Sequence, residues 1–284
     1  MGIIIDSYEK IIESILPPKN HPMYDSWKKF ELTSLDRSEK IVKEIQEYTV
    51  INDKKILDLG CGTCAAAITF AKRNAYAVGL DYCTDVDDKG RLKLMAGIAN
   101  ANKENCQIHV TIGDGLMLPF KDKSFDIIIC SDVIEHVPRP VVLIKEISRV
   151  LKPNGILYLS CPNKFSPVFI IEDPHFGLFG LTLMPRSLAE WYIINIRKLG
   201  KEYMIGYLPT YRFLERNFQK NGIELENISK KTIAQMINNN YRPNSPIKRT
   251  LLKIINTCKL KRLTIIIASV NLITPNYICI GIKK

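Results

Sequence analysis

The chain has 284 residues, 46% of them hydrophobic and 24% charged. That is the composition of an ordinary globular protein, with room for one large domain and additions or for two modest ones. No apolar run reaches the roughly 18 residues of a membrane span, and MGIII followed at once by DSYEK does not read as a secretory leader, so a cytoplasmic protein is expected. The net charge of +11 is confined to one region, because residues 227–284 hold eleven Lys and Arg and no acid, whereas residues 1–226 balance 29 against 29.

Residues 6–16 have helical spacing, with Ile11, Ile12 and Ile15 on one side, and Pro17-Pro18 stops them. The aromatic stretch 21–32 reads as irregular, and a second helix is predicted over about 34–48. From residue 55 the pattern becomes short apolar runs alternating with helical segments. Strands are predicted at 55–59, 76–81, 107–113, 125–131 and 156–161. Helices fall at 63–73, about 87–101 and near 139–150, the last ended by Lys-Pro-Asn-Gly. Uniformly apolar strands separated by helices imply a parallel sheet covered on both faces.

After the fifth strand the alternation breaks, and 162–185 is rich in Pro, Phe and Gly. Helices near 186–198 and 209–220, a strand at 223–228 and a final strand in YICIGIKK follow. The expected fold is therefore α/β: a doubly wound, Rossmann-like sheet, mostly parallel with an antiparallel last strand. Helical additions at the N-terminus (1–50) and after strand five would form a cap on a main domain over 51–284. That domain would contain an acceptor-site insertion at about 162–208 and a basic helical segment at about 246–273.

Cys106, Cys130, Cys161 and Cys279 lie in or beside apolar, strand-like runs, where a reduced thiol packs as a small hydrophobe. Cys61 and Cys64 form a C-x-x-C, but no second cysteine pair or histidine accompanies them at zinc-ligand spacing. No metal is expected.

ILDLGCGTC places Gly60 and Gly62 directly after the first strand, where a doubly wound sheet lets the backbone approach a ligand. Asp81, ending strand two, can accept both hydroxyls of a ribose, a feature shared by dinucleotide folds and by folds that bind S-adenosylmethionine (SAM). Asp58 favours SAM, because a carboxylate before the turn suits an ammonium group and repels a pyrophosphate. Asp114, at the end of strand three, can accept from an adenine amino group.

ILDLGCGTC, VGLDY, GDGLMLPFKDKSFDIIICSDVIEHV and EISRVLKPNGILYLSCPN, in order over 54–163, resemble the successive motifs of class I SAM-dependent methyltransferases of the ubiquinone and menaquinone type. The resemblance implies that SAM is the cofactor, with Asp58, Gly60, Cys61 and Gly62 at its methionine end. It also implies Asp81 at the ribose, Tyr82 on an adenine face, and Asp114, Gly115 and Leu116 at the adenine edge. Ser131, Asp132 and His136 would line the methyl-facing floor.

A sulfonium methyl needs its nucleophile in line, and a base where that nucleophile has a high pKa. Glu172, Asp173 and His175 in IIEDPHFGLFG are candidates for the base, alongside His136. The competing reading of that segment is a loop held by Asp-Pro turn chemistry, with Phe176 and Phe179 filling core. PNKFSP, EDPHFGL, LMPRSLAEWY and YLPTYRFLERNF further resemble methyltransferases associated with microbial cell-surface glycans, which implies O-methylation of a sugar in a glycan or lipid-linked saccharide. The alternatives are methylation of a quinone-like or other small lipid, and a SAM-binding module without catalysis. Two readings stand for 246–273, a helix packed on the sheet with a solvated basic side and peripheral contact with an anionic membrane at its inner face; no nucleic-acid partner is expected, since no aromatic ladder interleaves the basic residues.

Overall fold

The computed structural model describes residues 8–21, 23–83, 89–199, 208–231 and 274–284. The basic segment 246–273 and the insertion's end at 200–207 lie outside the described residues, and with them both the packed-helix and the membrane-contact readings.

Three helices come first: α1 (Tyr8–Ile15), α2 (Tyr24–Leu32) and α3 (Ser34–Gln46). Then β1 (Lys55–Leu59), α4 (Ala65–Ala71), β2 (Tyr76–Asp81), α5 (Lys89–Lys103), β3 (His109–Ile112), β4 (Phe125–Ser131), α6 (Pro140–Val150) and β5 (Leu151–Pro162) alternate. After α7 (Pro167–Ile171), α8 (Arg186–Trp191) and α9 (Tyr211–Lys220), the chain closes with β6 (Ile223–Asn227) and β7 (Asn276–Lys283). The seven strands lie in the order β3-β2-β1-β4-β5-β7-β6. The first five are parallel, and β7 runs antiparallel to both β5 and β6.

Because side chains alternate along a strand, each central strand feeds two cores. Leu57, Leu59, Ile128, Cys130, Leu157 and Leu159 face α6 and α9, where Leu143, Ile147, Leu214 and Phe218 meet them. Ile56, Ile127, Ile129, Ile156 and Tyr158 face α3 and α4, against Val42, Ile45, Ala66 and Phe70. Each large apolar side chain so buried contributes about 1.5–3 kcal/mol, so both faces stabilise the sheet.

Three local expectations are corrected. The stretch read as irregular forms α2, which buries none of its residues. It is held by polar contacts, Tyr24 Oη to Glu13 Oε2 at 2.6 Å and Tyr8 Oη to the Glu31 carbonyl at 3.1 Å, so it shows no apolar stripe for a periodicity argument to find. The strand expected from 156 begins at Leu151, because Lys152–Gly155 bulges between the pairs Phe125–Leu151 and Ile127–Ile156, with Asn154 at φ +60°. The helix expected over 186–198 starts as α8 and widens into a π-helix over Tyr192–Arg197.

Candidate active site

Strand order reverses between β1 and β4, and in a doubly wound sheet the crevice beyond the C-terminal strand ends at that point takes the ligand. The chain leaves β1 there in a tight turn. The amides of Gly60 and Cys61 both donate to the Leu80 carbonyl of β2, at 2.8 and 3.0 Å. Gly60 has φ +71°, and a Cβ on it would sit 2.4 Å from Val133 Cγ2, so both conformation and space require glycine. Gly62 has φ +50°, and a Cβ there would meet nothing within 4 Å; the turn presents bare backbone to open space.

Cys64 caps α4 at φ +59° and is fully buried. Its sulfur fills the space that Gly97 of α5 leaves, as Cys61 fills that of Gly79 on β2. The two sulfurs are 3.5 Å apart and unbridged, and every described cysteine is free.

Asp58, ending the apolar run of β1, is buried and accepts from the Ala67 amide in the first turn of α4 at 3.0 Å. Burial lifts its carboxyl to about 7, with nearby Asp81 adding to the effect and the Ala67 amide opposing it. It therefore serves the helix start and also stands ready to gain from a cation. Asp81 accepts from Gly62 at 2.5 Å and Tyr82 at 2.7 Å, one amide on each carboxylate oxygen, and Tyr82 is exposed at the rim. Asp114 is exposed after β3, where its Oδ1 takes the Leu116 amide at 2.8 Å. Leu116 is thus engaged by Asp114 itself, and Gly115 packs over Leu143 and Leu59.

α2 and α3 approach the turn from the other side. Thr63 Oγ1 donates to Glu31 Oε2 at 3.3 Å. The Arg37 guanidinium lies 3.5 Å over the Phe30 ring and bonds Thr33 Oγ1 at 3.2 Å.

The floor lies at the end of β4. Asp132 takes φ +55° and accepts on Oδ1 from Ser160 of β5 at 3.2 Å and from Asn276 Nδ2 of β7 at 3.1 Å, while Ser131 Oγ lies 2.8 Å from Ser160 Oγ. Burial raises the Asp132 carboxyl above its usual range, and the Ser160 bond and the Arg37 charge oppose that rise.

The segment after β5 returns over this floor. The His175 ring stands edge-on to His136, centroids 5.3 Å apart, so two histidines 39 positions apart in the chain are brought together. Beside them is Glu135, fully buried, its carboxylate without a hydrogen-bond donor and its Oε1 3.9 Å from His136 Nε2. One ligand atom from each of Glu135, His136 and His175 can be chosen so that all lie within 4.8 Å of one another. Glu172 ends α7 outside this group. Asp173 is buried and accepts the amides of His175, Phe176 and Leu178 at 2.9, 2.8 and 3.4 Å, which makes it the turn former of the loop. Phe176 fills core, but Phe179, expected there too, is 73% exposed, because the turn at Gly177 and Gly180 carries it outward.

Sequence reasoning missed Glu135, Ser160 and Asn276. Glu135 carried a legible signal, a charge inside the apolar VIEHV, whereas the other two are recruited by strand pairing alone.

Residues 57–159 match the family described as "Methyltransferase domain". The chain carries a class I SAM-dependent methyltransferase domain. A ubiquinone biosynthesis O-methyltransferase of Hahella chejuensis is 30% identical over 152 residues, 52% of this chain and 59% of that one. Its counterpart in Histophilus somni is 30% identical over 169 residues, 58% of each. The methyltransferase domain is thus shared with proteins of which this chain spans less than two thirds. A magnesium protoporphyrin IX methyltransferase of Synechocystis PCC 6803, solved with bound S-adenosylhomocysteine, has the same fold at 15% identity, a TM-score of 0.53 and coverage of 97% and 94% of the two chains.

Proposed function

We propose that the protein methylates a hydroxyl group, with a sugar of a cell-surface glycan or lipid-linked saccharide as the acceptor. The observation that carries this reading is the meeting of His136, His175 and Glu135 beyond β4, proton-accepting side chains gathered past the C-terminal end of the strand that neighbours β1. When bound, SAM supplies an electrophilic methyl. Gly62 gives it an uncrowded backbone face, Asp58 suits its ammonium and Asp81 its ribose hydroxyls.

The chain's own task is then to hold the acceptor in line and to take its proton, since an alcohol is too weak an acid to ionise unaided near neutrality. The acceptor oxygen would take the methyl of SAM, which leaves as S-adenosylhomocysteine, while the histidine–glutamate group would take the hydroxyl proton.

The names of the curated relatives favour a second acceptor, the phenolic hydroxyl of a quinone precursor. Incubation with methyl-labelled SAM, a glycolipid extract and a polyprenylated catechol, read by mass spectrometry, separates the two. Label in the lipid-linked sugar supports the first reading and label in the catechol the second. Binding of S-adenosylhomocysteine with no methylation of either hydroxyl class would reduce the protein to a SAM-binding module.

A further inference from the structure

We infer that Glu135, His136 and His175 bind one divalent transition-metal ion at the end of β4, in reach of the acceptor. No ligand spacing along the chain points to a metal, because two of these residues are adjacent and the third arrives only through the fold.

Two observations carry the inference independently. The first is convergence: the three residues can offer ligand atoms that all lie within 4.8 Å of one another. Bonds of about 2.0–2.2 Å place tetrahedral ligand atoms about 3.3–3.5 Å apart, so side-chain movements of roughly an ångström close the site. The second is an unmet need. Glu135 is fully buried and neither carboxylate oxygen has a hydrogen-bond partner, the nearest cation-forming group being His136 Nε2 at 3.9 Å from Oε1. A buried carboxylate without donors is costly, and the charge of Asp132 adds to that cost. A divalent cation held by Glu135 would supply the partner that this buried carboxylate lacks. Asp173 Oδ1, 3.6 Å from His175 Nδ1, is placed to orient that ring, as carboxylates commonly do beside metal-bound histidines.

Two imidazoles and one carboxylate suit zinc, manganese or iron better than magnesium, which prefers oxygen ligands and retains its waters. Three protein ligands leave positions open, and a hydroxyl oxygen occupying one would lose its proton far more readily, to solvent, since the three side chains would then be holding the ion and not acting as the base. This role rests on the proposed hydroxyl methylation; the binding of the ion does not.

The test uses the full chain, stripped with chelator and titrated with Mn2+, with the free ion followed by electron paramagnetic resonance. Manganese is preferred as the probe because the chain's cysteines attract zinc. One Mn2+ per chain is expected, with affinity at least tenfold weaker in both Glu135→Gln and His175→Ala. S-Adenosylhomocysteine binding, measured by calorimetry on the same samples, should be retained and reports that the variants are folded. Absence of stoichiometric Mn2+ binding, or equal binding by folded variants, overturns the inference. Loss of S-adenosylhomocysteine binding by the unmodified chain would instead overturn the methyltransferase reading and leave the ion site standing.

Discussion

The Gly62 amide donates to Asp81 Oδ2 at 2.5 Å, so the carboxylate at the end of β2 holds the glycine turn that follows β1. Asp81 consequently shapes the SAM site before any ribose arrives. Asp81→Ala removes the acceptor of two amides and the expected ribose partner together. We expect S-adenosylhomocysteine affinity to fall by at least about tenfold, or 1.4 kcal/mol. Calorimetry giving an unchanged Kd would remove Asp81 from the site.

Gly60→Ala should cost about 1–3 kcal/mol, since the new methyl meets Val133 at 2.4 Å in a left-handed backbone. Gly180→Ala is the matched comparison: it shares the positive φ, but nothing lies within 4 Å of its Cβ. Thermal melts should therefore rank Gly60→Ala below Gly180→Ala, and the reverse order would mean that crowding at Val133 is relieved at no cost.

The buried carboxyl of Asp58 gives a pH dependence of known sign. It titrates near 7 in the folded chain against an ordinary value of 3.8, so between those values the folded state binds the extra proton. The stability that this group contributes is fully present below about pH 4 and is lost as pH rises through 7, by at most about 1.4 kcal/mol per pH unit. Asp132 and Glu135 shift in the same direction, so the informative quantity is the difference between the unmodified chain and Asp58→Asn, whose melts should depend less on pH. Ligand binding should carry the opposite signature. An ammonium group prefers ionised Asp58, so S-adenosylhomocysteine should bind more tightly as pH rises toward 7 and expel a proton below it, which calorimetry in two buffers of different ionisation heat detects.

Arg149 fastens the segment after Asp114. Its guanidinium donates to the carbonyls of Leu118 and Phe120 at 2.9 and 2.7 Å and pairs with Glu146, which in turn accepts the Leu118 amide at 2.8 Å. Arg149→Ala should raise the Kd for S-adenosylhomocysteine by about threefold to tenfold and lower hydrogen-exchange protection at Leu118. Full protection there would show that the segment holds itself.

Ser160→Ala and Asn276→Ala each remove a donor from Asp132. Both should lower kcat while S-adenosylhomocysteine binding holds, because both residues act on Asp132 at the end of β4, away from the β1–α4 turn in sequence and strand. A fall in cofactor binding with unchanged turnover would move Asp132 to the cofactor side.

The parts of this molecule visible in the sequence are those built by local pattern. β1, β2 and β4 span the expected ranges, because strands buried on both faces read as near-continuous apolar runs. α2 escaped because its helix is fixed by tyrosine hydroxyls, without a buried stripe. Within the site, the turn and its aspartates could be read from spacing. The partners of Asp132 could not, since Asn276 stands 144 positions away and reaches it only through antiparallel pairing. His175 was a candidate by residue type, but its meeting with His136 and Glu135 depends on a loop path no periodicity encodes. Phe179 went astray for the same reason.

The placement of β7 between β5 and β6 orders events during synthesis. The Tyr277 hydroxyl reaches Asn163, 114 positions upstream, and Asn276 reaches Asp132. A ribosome-bound chain that has emerged only through β6 has its glycine turn and parallel strands in hand, yet β5 presents an unpaired edge and Asp132 lacks a neighbour. The nascent protein therefore acquires the means to hold a nucleoside well before the means to act on a hydroxyl, and in that interval its open edge is the surface most in need of a chaperone.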